Sequence, residues 1–94
     1  MSEDALSQIP SNTELLRLSV NCDKHMIHDL AIHLEMEETE WNDIVENYPR
    51  NTQMVKFLTL IDLRENYGIC FGDLAKGLRE MKITTHTLCM VSYV

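Results

Sequence analysis

An all-α fold of six short helices is what this sequence predicts, and three observations predict it. The apolar share is 45% of 94 residues, drawn mostly from Leu, Met, Ile and Ala, with three Gly and two Pro. That content is globular, and no run of Val, Thr and Tyr reads as a strand. The apolar residues recur at steps of three and four, the period of a helix with one buried face. Residues that start and stop helices stand at the edges of these periodic stretches.

The elements follow in order. Residues 1–11 read as a disordered tether, because Ser2, Glu3, Asp4, Ser7, Gln8 and Pro10 offer little to bury. The domain is then 12–94. Ser11 and Glu14 have the spacing of a capping box, and Leu15, Leu16, Leu18 and Val20 carry a first helix to about Asn21. Asp23 caps a second helix, whose stripe is Met26, Ile27, Leu30, Ala31 and Leu34. Glu37, Glu38 and Glu40 crowd the start of a third, where the helix dipole favours negative charge. Trp41, Ile44 and Tyr48 form its expected apolar face, and Pro49 ends it.

Asn51 or Thr52 caps a fourth helix. Met54, Val55, Phe57, Leu58, Leu60, Ile61 and Leu63 cover most of its circumference, which places it in the middle of a bundle. Gly68 stops it. Phe71, Leu74, Ala75, Leu78 and Met81 give a fifth helix, and Thr84 or Thr85 caps a sixth with Leu88, Cys89 and Val91.

Composition excludes several functions. The net charge is −7, which opposes duplex nucleic acid and anionic membrane surfaces. No apolar run approaches the roughly 18–20 residues of a membrane span, and residues 1–10 do not resemble a signal peptide. Cys22, Cys70 and Cys89 are odd in number with no Cys-x-x-Cys pair. They read as free thiols in the cytoplasm.

Charge is also segregated along the chain. Residues 1–49 hold eleven acids and two bases, and residues 50–94 hold four acids and six bases. The acids gather around helices 2 and 3 as Asp29, Glu35, Glu37, Glu38, Glu40, Asp43 and Glu46; the bases come later as Arg50, Lys56, Arg64, Lys76, Arg79 and Lys82. Each charge alone reads as a solvated surface group. Together they make a particle with an acidic partner-binding face and a basic one, able to bind head to tail. Ile32 falls opposite the buried stripe of helix 2, beside His28 and Asp29. It is either an ordinary exposed apolar residue or an interface anchor.

Chemistry finds little purchase. His25, Asp29 and His33 lie at i, i+4 and i+8 on the outer side of helix 2, a set that can bind zinc, but no fourth ligand is in view and solvated histidines are the plainer reading. His28 or His33 could make a contact pH-dependent. There is no Gly-rich phosphate loop and no cysteine with a neighbouring base, so neither an enzyme nor a cofactor is expected. Cys70 stands at a helix start, where a capping or buried role is the simpler one.

From Ile27 to Met81 the sequence resembles the death-domain family. Leu30-Ala31-x-x-Leu34 is similar to the family's Leu-Ala-x-x-Leu, followed by Met36 and an acidic start to helix 3. Trp41 and Ile44 stand three apart, as the family's apolar pair does, and Tyr48-Pro49-Arg50-Asn51 resembles its Tyr-Pro-x-(Asn/Asp) exit. Leu60-x-x-Leu63-Arg64 and Leu74-x-x-x-Leu78-Arg79 take the places of its helix-4 and helix-5 motifs. The Tyr-Pro-Arg-Asn run and the helix-2 and helix-3 spacing look nearest to the branch of Fas-associated adaptors. There are departures. Ile27 and Leu63 stand where Trp is common, and His28, Asp29 and Ile32 replace that branch's basic cluster on helix 2.

The resemblance implies a six-helix antiparallel bundle that binds other death domains, and itself in helical oligomers, within a signalling adaptor for apoptosis or innate immunity. A receptor or kinase tail, or the caspase-recruitment and death-effector modules, share the plan. A helix-turn-helix nucleic-acid binder would need a basic recognition helix, and none is present.

Overall fold

The computed structural model describes residues 7–81, all of whose regular elements are α-helices. There are five among the described residues: α1 (Asn12–Asn21), α2 (Lys24–His33), α3 (Glu38–Asn47), α4 (Thr52–Tyr67) and α5 (Phe71–Glu80). The expected sixth helix, with Thr84, Thr85, Leu88, Cys89 and Val91, lies outside the described residues, as does Lys82. No helix among the described residues is long and apolar enough to cross a membrane.

Local chemistry accounts for most of the boundaries. The Ser11 Oγ accepts the Glu14 N–H at 3.2 Å, and the Ser11 N–H donates to the Glu14 carboxylate at 3.0 Å. Asp23 accepts the Met26 N–H at 2.8 Å and Asn51 the Met54 N–H at 3.0 Å. Each cap satisfies donors that the first turn of a helix leaves unpaired. At α5 the Cys70 N–H donates to Asp73 at 3.0 Å, and the Cys70 thiol points to the same oxygen at 3.4 Å. The left-handed backbone of Gly68, with φ of 62°, ends α4. The third helix lacks such a device: Glu37 stands at its N-cap and makes no side-chain cap hydrogen bond.

The core is built on leucines. Leu15 and Leu18 of α1, Leu30 of α2, Leu60 and Leu63 of α4, and Leu74 and Leu78 of α5 are fully buried. Each contributes about 1.5–3 kcal/mol of burial. The central element is α4, which contacts α1, α2 and α3. It is antiparallel to α1. Gln53 Nε2 donates to Ser19 Oγ at 2.7 Å, Lys56 Nζ to the Cys22 carbonyl at 2.8 Å, and Arg64 to the Pro10 carbonyl at 3.2 Å. On α1 only one side is buried, and Leu16 and Val20 point away from the core, 43% and 64% exposed.

Two findings differ from the sequence reading. Within the polar lead, Pro10 is buried and the Gln8 carbonyl accepts the Phe71 N–H at 3.1 Å. The anchoring there is by backbone groups, which composition does not express. Tyr48, expected in the core by its spacing from Ile44, is 39% exposed. It follows the last helical residue of α3, and its φ of −134° breaks the helical phase that the spacing assumed.

Candidate interaction surface

The buried stripe of α2 is Ile27, Leu30 and Ala31. A helix buried along that stripe turns His25, His28, Asp29, Ile32 and His33 outward. Ile32 is 42% exposed, as the sequence places it. Each of the three histidines faces a carboxylate. His25 lies 3.4 Å from Asp29 on the same helix, His28 Nε2 lies 2.9 Å from Glu38 of α3, and His33 Nδ1 lies 3.2 Å from Glu80 of α5. The zinc set that the spacing allowed is therefore not brought together. Among the described residues, no group of three His, Cys, Asp or Glu is placed to hold a metal.

The link from α2 to α3 is an aromatic one. The His28 ring stacks on the Trp41 indole with centroids 3.8 Å apart and planes 20° from parallel, and the Lys24 ammonium sits 5.7 Å from the indole centroid. Trp41 packs against the core, and its Nε1 is buried with no hydrogen-bond partner among the described residues.

The acids divide by role. Glu35, Glu37, Asp43 and Glu46 are exposed, and so is Glu38 beyond its contact with His28. Glu40 is half-buried and accepts the Tyr67 hydroxyl at 2.7 Å. Asp62 of α4 adjoins it and bonds Asn66. Burial pushes the Asp62 carboxyl above its usual range, the Asn66 hydrogen bond works the other way, and Glu40 adds to the rise. The Tyr67 phenol is raised too, chiefly because it donates to Glu40.

The bases divide likewise. Arg50, on the turn from α3 to α4, and Lys76 and Arg79 of α5 are exposed. Lys56 and Arg64 are half-buried and reach backbone carbonyls of the α1 region, and Arg64 also pairs with Glu65 at 2.8 Å. Their charges serve the join between α1 and α4.

Between the ends of α2, α4 and α5 lies an open cleft of about 270 Å³. Its His33 and Glu80 are paired with each other, and its Asp73 holds Cys70. Burial pushes the Cys22 thiol up, against the smaller opposing effect of Lys56, which makes it a poor nucleophile. What remains outward is a set of exposed carboxylates on α3 and the turn before it, with Ile32 exposed on α2. The sequence reading did not find the His28–Trp41 stack, the His33–Glu80 pair or the Tyr67–Glu40 hydrogen bond. All three join residues on different helices, and spacing within a helix carries no signal of them.

No protein-family model matches the sequence, and no curated protein matches it.

Proposed function

We propose that the chain is the death-domain interaction module of a cytoplasmic signalling adaptor, and that it carries out no chemistry. In this reading the fold is the family's six-helix antiparallel bundle, with its sixth helix within 82–94. The surface formed by α2 and α3 recruits partner death domains through apposed basic residues. Apoptotic or innate immune signalling is the setting, and assembly raises the local concentration of whatever effectors the partners carry.

The observation that carries the reading is the composition of the outward α2–α3 surface. Glu35, Glu37, Glu38, Asp43 and Glu46 are exposed on α3 and the turn before it, Ile32 is exposed on α2, and Arg50, Lys76 and Arg79 are exposed elsewhere. Such a surface fits a basic partner and disfavours an acidic one. An apolar residue set among charges is the usual composition of an interface centre with a polar rim.

Charge reversal tests it. Asp43 and Glu46 are exposed and neither has a side-chain partner among the described residues, so Asp43→Lys and Glu46→Lys should leave folding intact. A death-domain panel and the chain itself serve as partners, with affinity read by sedimentation velocity. Each reversal should weaken binding about tenfold. Unchanged affinity for every partner would exclude this face.

A further inference from the structure

We propose that the cleft between the ends of α2, α4 and α5 is a binding site for the side chain of an arginine on a partner protein. The cleft measures about 270 Å³. Pockets that enclose drug-sized molecules run from about 300 to 1,000 Å³, so this one suits a single long side chain. Its lining grades from apolar to acidic. Ile69 and Gly77 are buried and Leu34 is half-buried, which makes them the inner wall. Asp73 is half-buried, and Glu35, Lys76 and Glu80 are exposed at the rim. A ligand that matches both zones has an apolar stem and a polar head, as the long basic side chains do.

The unused hydrogen-bonding groups decide the charge of that head. Three carboxylates line the cleft, and each has an oxygen to spare. Glu35 has no side-chain partner among the described residues. Asp73 holds the Cys70 N–H and thiol through Oδ2 and keeps Oδ1. Glu80 meets His33 through Oε2 and keeps Oε1. Against them stands Lys76, which has no partner among the described residues. Two helix ends add to the negative side. The last residue of α2, His33, and the last of α4, Tyr67, both line the cleft. A helix C-terminus carries about half a negative charge, on carbonyls that no helical N–H satisfies. The cleft therefore favours a cation.

The acceptors also favour a guanidinium over an ammonium. They come from two elements, Glu35 beyond α2 and Asp73 and Glu80 on α5. A guanidinium presents five donors in a planar fork and is the more weakly hydrated of the two, so it reaches several acceptors and gives up less water on entering. That the arginine belongs to a partner protein rests on the proposed role as an interaction module; the cleft's choice of cation does not.

The test titrates N-acetyl-arginine amide into the full, isotope-labelled chain and follows the amide NMR shifts. N-acetyl-lysine amide and N-acetyl-citrulline amide are the other arms, and citrulline has nearly the arginine shape without its charge. The arginine probe should saturate with a dissociation constant of about 1 mM, as befits so small a ligand. Its largest shifts should fall at Leu34, Glu35, Ile69 and Gly77. Lysine should bind about threefold more weakly and citrulline about tenfold more weakly. Glu35→Gln should weaken the arginine probe about threefold, and Lys76→Gln should tighten it by about as much. The proposal is overturned if the shifts centre on α3, if lysine or citrulline binds as tightly as arginine, or if neither substitution moves the affinity. Asp43 and Glu46 do not line the cleft. Charge reversals there that left partner binding unchanged would count against the α3 surface alone, and a failed arginine titration would count against the cleft alone.

Discussion

Glu35 is the one described non-glycine residue with a left-handed backbone, at φ of 72°. Its conformation closes α2: the Met36 N–H bonds the Ala31 carbonyl at 2.9 Å and the Glu35 N–H bonds the Ile32 carbonyl at 3.0 Å. These are the two bonds of a Schellman ending, where glycine is the usual residue. The side chain is exposed, so little offsets the strain of its Cβ. Glu35→Gly should therefore stabilise the chain by about 0.5–1 kcal/mol in urea denaturation. Gly77 presents the opposite case. A Cβ there would stand 2.5 Å from Leu30 Cδ1, and Leu30 is fully buried, so its side chain would have to shift among packed neighbours. Gly77→Ala gains about 1 kcal/mol of helix propensity and loses about 1–3 kcal/mol to overpacking. The expected net is a loss of up to about 2 kcal/mol. Opposite signs for two swaps involving glycine are the check; equal signs would mean that backbone conformation and packing have been wrongly apportioned. Neither position was legible from sequence, because one is an acidic residue doing a glycine's task and the other is an approach between helices.

Helix by helix, the chain was legible wherever a boundary is written in local chemistry. Ser11, Asp23 and Asn51 cap α1, α2 and α4 as their residue types and spacing predict, and Gly68 stops α4. The apolar circumference of α4 likewise announced its central position. The third helix is legible as a helix but not in how it is attached, since its polar contacts are with His28 and Tyr67 on other elements. Asp62 supplies the prediction that belongs here. Burial raises its carboxyl in the folded state. A carboxyl raised on folding contributes stability fully below its unfolded value and loses that contribution as pH rises through the folded one. At neutral pH the ionised Asp62 faces Glu40 at a cost. Asp62→Asn should thus stabilise the chain near neutral pH, by less than about 1 kcal/mol given its exposure to solvent. The gain should vanish in acid, below the unfolded value. Thermal denaturation across that range reads it, and a gain that persisted in acid would assign the effect to the Asn66 contact instead.

For the molecule as a whole, charge segregation along the sequence is the feature on which the proposed assembly rests, and the structure shows which of the bases are exposed. Counting Lys56 and Arg64 toward a basic face was reasonable from their position in the chain. A long cation that reaches a backbone carbonyl cannot be told from a solvated one by sequence, because its partners at Cys22 and Pro10 lie 34 and 54 residues away. The exposed bases that remain are Arg50, Lys76 and Arg79. If the acidic face of one copy meets the basic face of the next, the contact is heterologous, and each copy uses two different surfaces. That geometry makes a prediction that a symmetric dimer does not. The pair Asp43→Asn with Glu46→Gln removes the charge of one surface and keeps the other; Lys76→Gln with Arg79→Gln does the reverse, and the neutralised surfaces cannot pair with each other by charge. Alone, each double variant should stay monomeric at concentrations where the native chain associates. Mixed in equal amounts they should form a 1:1 heterodimer and nothing larger, since each supplies the one surface the other lacks. The same association should weaken with added salt, as contacts between exposed charges do beyond a Debye length of about 10 Å at 0.1 M. Sedimentation velocity of the two variants, separately and mixed, decides it. A mixture that stays monomeric, or that assembles as the native chain does, would rule out the head-to-tail arrangement of these faces.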